Sequence, residues 1–388
     1  MNRHVLPVGF IPLVDAAPLI VAQEMGFADE ERLTLDLRRA ASWSMLRDML
    51  VFGQVDAAHM LSVVPVATAL GLGGAMAGLE ALMVLSLNGQ VVAVSPALAG
   101  RMQAAGHGFD FTDAQAAGQA LLAAGQGLRI GVPFPFSMHA ELIHYWLDGM
   151  QPQGLTIHTV PPPHMAKALA AGEIDAFCVG EPWGSDAVER AGAALLLPGS
   201  AIWSQAPEKV LATRAGWAEA EPELAGRLMR ALWRTARWLG DPANRLTASE
   251  MLARSDYLDL EAEVIDRALS GLLITAARGA ELHVPQFLEY HAGAANFPWR
   301  SQAAWIGARL AGRFGLDVPQ AIAAAKATFR SDLYRQHLGP AGAELPAASE
   351  KLEGASEVPT PAASNRGKLV LQRNRFFDGR IFDPMPAG

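Results

Sequence analysis

Residues 172–183 read GEIDAFCVGEPW, and this stretch decides how the chain is laid out. Ala176, Phe177, Cys178 and Val179 are four apolar residues in a row, the pattern of a strand covered on both faces. A glycine, Gly180, ends the run, and Glu181, Pro182 and Trp183 follow at once. The same entry signal occurs earlier: Gly53-Gln54-Val55-Asp56-Ala57 matches Gly172-Glu173-Ile174-Asp175-Ala176, 119 positions on. Val8-Gly9-Phe10-Ile11-Pro12 is matched 122 positions on by Ile130-Gly131-Val132-Pro133. Two matches at nearly one offset mark a duplicated unit.

Each copy reads strand, loop, helix, strand, loop, helix, then Gly-x-[Val/Ile]-Asp-Ala into a third strand. The first copy predicts strands near 5–10, 33–39 and 56–61 and helices near 16–26 and 44–52. The second predicts strands near 128–132, 155–160 and 175–179 and helices near 138–149 and 164–171. Alternating strands and helices imply an α/β protein with parallel sheets. Two such lobes in tandem imply a hinged pair with a cleft between them. LSLNGQVVAVSPAL (85–98) is placed to carry the chain from lobe to lobe, and PEKVLATRAGW (207–217) to bring it back. The expected division is residues 1–92 and 208–388 in one lobe and 93–207 in the other.

In open α/β sheets, ligands lie beyond the carboxyl ends of the strands, beside helix N-termini. Six loops meet that description: PLVDA (12–16), AASW (40–43), SVVP (62–65), PFPFSMH (133–139), VPPPHM (160–165) and GEPW (180–183). From about 218 to 335 the pattern is helical. Residues 339–366 are rich in Pro, Ala and Ser and read as an extended or disordered connector. FFDGRIFDP (376–384) is too apolar for a free tail and is expected to dock on the body.

Composition narrows the function. The chain has 388 residues, 51% hydrophobic and 18% charged, enough for two domains with a large core. Its longest uncharged window, between Asp56 and Glu80, is broken by Pro65, Gly71, Gly73 and Gly74, so it reads as core and not as a membrane span. A single cysteine, Cys178, excludes an internal disulfide and a multi-thiolate metal site. The net charge of −8 argues against direct nucleic-acid binding. The opening MNRHVLPVGFIPL has no apolar leader core, which carries the expectation of a cytoplasmic protein.

VGFIPLVDAAPLIVAQEMGF, ASWSMLRD, FGQVDAAHML, LNGQ, VPPPHMAKAL, DAFCVGEPW, PEKVLATR and FFDGRIFDP, in this order, resemble the nitrate/bicarbonate-type substrate-binding proteins of ABC transporters. The resemblance runs from about residue 6 to 384. It implies a type II periplasmic-binding-protein fold, two α/β lobes closing over a cleft with a helical C-terminal part. In the nitrate branch a tryptophan, a glutamine, a histidine and a lysine hold the anion, and the matching residues here are Trp43, Gln90, His139 and Lys209. The chemistry suits a planar monoanion: one buried cation and three directional donors. A bicarbonate site in the family tends to carry an acid at the lysine position and to recruit calcium. Lys209 therefore points to nitrate or nitrite.

Taken singly, each residue has a plainer reading, such as Lys209 in a solvated pair with Glu208 or Trp43 as a core cap. Ser62, Pro162, Gly180, Glu181 and Trp183 are expected in the cleft wall, with Glu181 behind the ligand, where its charge would not repel an anion directly. His59 and His164 read as core and loop residues. No second clear acid stands out among the six loops, so no metal and no cofactor are expected. Within the family, a leaderless member resembles the cytoplasmic nitrate/nitrite sensors of the NasS type. That resemblance implies a partner, an ANTAR-type RNA-binding antiterminator (NasT-like), held without the anion and released with it. The alternatives are the binding component of a nitrate or bicarbonate transporter and an enzyme on the same fold. The enzyme reading lacks a reactive cluster.

Overall fold

The computed structural model describes residues 3–74 and 77–385. Short apolar runs separated by helices build two sheets. The first takes β1 (His4–Phe10), β2 (Leu33–Arg39), β3 (Ala57–Leu61), β4 (Leu79–Asn88) and β10 (Pro207–Arg214), in the order β4-β10-β3-β1-β2. The two-residue strand Leu288–Glu289 extends it beyond β4. The second takes β5 (Gln90–Val94), β6 (Arg129–Val132), β7 (Thr156–Thr159), β8 (Ala176–Gly180) and β9 (Ala194–Pro198), ordered β7-β6-β8-β5-β9.

The two orders are the same once the strand visiting from the other half is set aside. In each sheet a parallel trio, β2-β1-β3 or β7-β6-β8, is followed by the visitor, β10 or β5, and then by a last strand. The visitor runs antiparallel to both its neighbours, because it enters from the opposite lobe. The sheets are therefore mixed and not all-parallel. The helices at Ala17–Glu24, Trp43–Val51, Met138–Asp148 and Met165–Ala170 fall where the duplicated pattern predicts them.

The chain leaves the first sheet at Asn88-Gly89. Gly89 has a φ of +86°, a conformation that favours glycine, and a methyl group there would also stand 2.8 Å from Leu288 Cδ1, which would have to shift. The return segment runs alongside: Asn88 N–H donates to Ala206 O at 3.0 Å, and Asn88 Nδ2 donates to Ser204 O at 2.8 Å. The two crossings are thus tied to each other where the halves meet.

Beyond β10 the helices Pro222–Leu239, Arg300–Phe314, Val318–Thr328 and Ser331–Leu338 dominate, interrupted by the hairpin Leu272–Ile274 with Glu281–His283. Residues 339–366 hold a definite course rather than a disordered one. Isolated bridges join Pro346 to Ser364, Glu353 to Phe382 and Ser356 to Asn374. The composition reports the lack of a repeating hydrogen-bond pattern, while side chains fix the path. As expected, the terminal segment docks: Phe376 packs on Trp203 and Trp305, with ring centroids 4.9 and 5.8 Å away. No helix among the described residues is long and apolar enough to cross a membrane.

Candidate anion-binding site

The loops at the strand ends bring residues from both sheets to one buried place. Trp43 is the first residue of its helix, and Ser42 caps that helix by accepting from Met45 N at 3.2 Å. His139 is the second residue of Met138–Asp148, capped in the same way by Ser137, which accepts from Ala140 N at 3.1 Å. A serine before a helix start satisfies one of the free N–H groups and fixes the entry angle. Gln90 opens β5, and Lys209 lies in β10.

Lys209 Nζ donates to Asp15 Oδ2 and to Glu208 Oε1, both at 2.7 Å, and stands 5.3 Å from the centre of the Trp43 ring. The other Asp15 oxygen is 2.8 Å from His59 Nε2, and the His59 ring packs against Trp43 at 5.7 Å. His139 Nδ1 lies 3.2 Å from Glu208 Oε1. Neighbouring residues on a strand normally point to opposite faces. Glu208 and Lys209 meet instead, because the pairing of β10 with β4 is irregular on both sides of Lys209. A bulge of this kind re-aims side chains.

Gln90 sits opposite Gly180 on the β5–β8 pair. A methyl group on Gly180 would lie 3.7 Å from both Asp15 Oδ2 and His139 Nε2. Both are ordinary contact distances, and the close neighbour is Leu13 Cδ2 of the first half, 3.0 Å from that position. The Gln90 side chain packs against Gly199, where a methyl group would come within 2.7 Å of it.

All these groups are buried, and burial sets their protonation. It raises the Glu208 carboxyl to about 7 against the pull of Lys209. It would raise Asp15 too, but Lys209 and His59 outweigh it and hold Asp15 at about 2. Burial would lower Lys209, yet Asp15 and Glu208 keep its ammonium above its ordinary value. Burial, with Lys209 nearby, pushes His139 well below the usual imidazole range, and burial lowers His59 although Asp15 opposes it. The cluster holds one firm cation, one firm carboxylate, two neutral imidazoles and one carboxyl poised near neutrality.

Several polar atoms in this cluster have no hydrogen-bond partner among the described residues: Trp43 Nε1, Gln90 Nε2 and Oε1, His139 Nε2 and Glu208 Oε2, while His139 Nδ1 has only its 3.2 Å approach to Glu208 Oε1. The predicted wall residues divide. Trp183 Nε1 donates to Pro12 O at 2.8 Å, and Val14 N to Glu181 O at 3.0 Å, so this loop bonds across the cleft. The Glu181 carboxylate accepts from Ser185 N at 3.1 Å and is raised by burial to about 7. Bracing of Lys209 falls to Asp15 and Glu208. The Ser62 hydroxyl is engaged with Pro207 O at 2.5 Å, and Ser62 N donates to Glu208 O. Pro162 follows β7, the edge strand two removed from β8, away from Gln90 and Gly180.

The sequence reading missed three members: Asp15, Glu208 and His59. Asp15 corrects the expectation that the six loops hold no second acid, since it lies in PLVDA. The available signal was an adjacent acid and base inside the otherwise apolar PEKVLAT. No group of three or more His, Cys, Asp or Glu side chains among the described residues could hold a metal ion.

Residues 2–253 match the model of the NMT1-like family. The chain belongs to that family. This NMT1-like chain is 28% identical over 386 residues to the nitrate/nitrite binding protein NrtA of Nostoc sp., covering 97% of itself and 82% of that protein. It is 32% identical over 324 residues to the nitrate import ATP-binding protein NrtC of Synechocystis sp., covering 81% of itself but only 47% of that relative's length. The crystal structure of the periplasmic nitrate-binding protein NrtA from Synechocystis PCC 6803 superposes with a TM-score of 0.83 at 25% identity, covering 98% of this chain and 95% of that one. The NMT1-like chain therefore has the periplasmic-binding-protein fold.

Proposed function

We propose that this protein binds nitrate or nitrite in the closed cleft between its sheets. One observation carries the reading: donors from both halves, Trp43 Nε1 and the Gln90 amide, are buried without partners among the described residues, and so is His139 Nε2 beside them. A buried polar group left unpaired costs about 1–3 kcal/mol. A planar oxyanion offers the acceptors that would return it. Lys209 brings the charge, two of its three N–H donors being held by Asp15 and Glu208. Gly180, Glu181 and Trp183 form the wall. The names of the NrtA relatives support the same ligand class. Binding and not catalysis is the activity proposed.

The finer proposal is a cytoplasmic sensor that holds an ANTAR-type antiterminator in its open form and releases it on closure around the anion. Two bonds span the cleft, Trp183 to Pro12 and Val14 to Glu181, and a ligand touching both halves favours the state that contains them. The second reading, a component of a nitrate or bicarbonate importer, draws on the names of the NrtA and NrtC relatives.

Thermal unfolding with nitrate, nitrite, bicarbonate plus calcium, and an alkylsulfonate tests the ligand. At about 100 times the dissociation constant, a true ligand adds roughly 2.7 kcal/mol. No shift with either nitrogen oxyanion sinks the reading. Capture of a purified ANTAR antiterminator, lost on adding nitrate, supports the sensor. Nitrate binding without such capture leaves the importer.

A further inference from the structure

We propose that the anion enters this site together with one proton, which is held by the Glu208 carboxyl. The inference rests on the nitrogen-oxyanion reading above and concerns charge balance in that same site.

Lys209 is hydrogen-bonded to two carboxylates before any ligand is considered, Asp15 and Glu208, each at 2.7 Å. With both ionised, the enclosed set carries one positive and two negative charges. A monoanion added to it would leave three negative charges around one ammonium, an excess that a site sealed from water tolerates poorly. Uptake of one proton with the anion keeps the net charge of the site unchanged. The anion takes over beside Lys209 the negative charge that Glu208 gives up.

The geometry selects Glu208 from among its neighbours. Among the described residues, Lys209 on its own strand, Asp15 from the loop after β1, His139 from the helix Met138–Asp148 and Cys178 from β8 are the charged and titratable groups that act on it, with His59 of β3 behind Asp15. Asp15 is bonded through both oxygens, one to Lys209 and one to His59, and a proton on it would have to compete with these two contacts. Glu208 keeps Oε2 without a partner among the described residues. Burial also places its titration near neutrality, while Asp15, His139 and His59 titrate below it and burial moves the Cys178 thiol far above.

Protonation changes chemistry as well as charge. A nitrogen oxyanion such as nitrate only accepts hydrogen bonds, so an ionised Glu208 repels it and a protonated one donates to it. Bicarbonate carries its own O–H and would suit the ionised form. Glu208 is in this sense a specificity residue for ligands without a proton of their own.

The sign follows from linkage. Below the pH at which Glu208 titrates in the free protein, the proton is already present and nitrate affinity is flat. Above it each binding event draws one proton, and affinity falls about tenfold per pH unit. The test is nitrate calorimetry on the full chain at pH 8 in two buffers of different ionisation enthalpy, repeated from pH 6 to 9. The expected result is an uptake close to one proton. Glu208→Gln, a permanently neutral donor, should bind with no uptake and with pH-independent affinity. Wild-type binding with no proton uptake and a flat profile overturns the proposal while leaving the ligand assignment standing. So does uptake that persists in Glu208→Gln. Absence of nitrate binding in every buffer fails the ligand reading itself. The wild-type proton count needs no variant to fold.

Discussion

Two polar clusters lie equally deep in this molecule, and only one looks like a binding site. In the C-terminal strap Glu353 is fully buried, yet Ser301 Oγ and Asn374 Nδ2 each donate to it at 2.6 Å and Lys351 pairs with it. Asn374 in turn accepts from Trp203 Nε1 at 2.9 Å. Between the sheets, Gln90, His139 and Trp43 are just as deep, and the Gln90 amide, Trp43 Nε1 and His139 Nε2 find no partner among the described residues. Burial of polar groups is therefore not the mark of a site. Several unsatisfied groups gathered in one place from both halves are, since single ones such as Thr213 Oγ1 and Gln302 Oε1 occur elsewhere.

Lys209→Ala puts the sharpest strain on that distinction. It removes the cation from beside Asp15 and Glu208, and breaking a buried pair from one side costs about 3–5 kcal/mol. Chemical denaturation should show that loss, and nitrate should no longer raise the midpoint. Residual nitrate protection of the same size as in wild type would show that the anion lies elsewhere. Glu353→Ala is the counterpart in the strap. It should lower stability by about 2–3 kcal/mol through its orphaned donors, with nitrate affinity by calorimetry unchanged. A parallel loss of affinity would mean the two clusters are coupled and the contrast is false.

A smaller change should move stability and binding in opposite directions. Gln90→Met keeps the length of the side chain and deletes both unpartnered amide atoms. Replacing an unsatisfied polar group by an apolar one of similar shape should raise stability in the absence of ligand by about 1 kcal/mol. The same variant should bind nitrate at least about tenfold more weakly, which is 1.4 kcal/mol. If the variant is less stable than wild type without nitrate, the amide has partners after all and the argument from unpaired atoms fails for this residue.

The sequence shows these two clusters unevenly, and the reason is physical. Strands such as Ala176–Gly180 are legible because a run buried on both faces must be apolar wherever it sits. The serine caps before Trp43 and His139 are legible because a helix start is a local event. The partnership of Asp15 with Lys209 spans 194 positions and depends on β10 entering the first sheet as a visitor, which no local pattern states. Glu208 is hidden further by the bulge: strand periodicity sends it to the opposite face from Lys209, and only the irregular pairing reunites them. The strap misled in the other direction. Its Pro/Ala/Ser composition resembles a linker, while its order comes from a few long-range contacts such as Glu353 with Ser301.

The gentlest way to probe the contrast leaves the unpaired atoms alone and loosens only the closure around them. Trp183 Nε1 donates to Pro12 O across the cleft at 2.8 Å, and this bond forms only when the halves meet. Trp183→Phe keeps an aromatic ring in the wall and removes that donor, a change of about 0.5–1.5 kcal/mol. If closure is the state that completes the donor set, the loss falls on the closed form, and nitrate affinity should weaken about threefold to tenfold. The association rate should stay nearly constant while dissociation quickens, since the cleft reopens more readily around an intact site. Stopped-flow binding separates these. A variant with slower association and unchanged dissociation would place the effect on entry of the ion, and Trp183 would then be part of the path and not of the clasp.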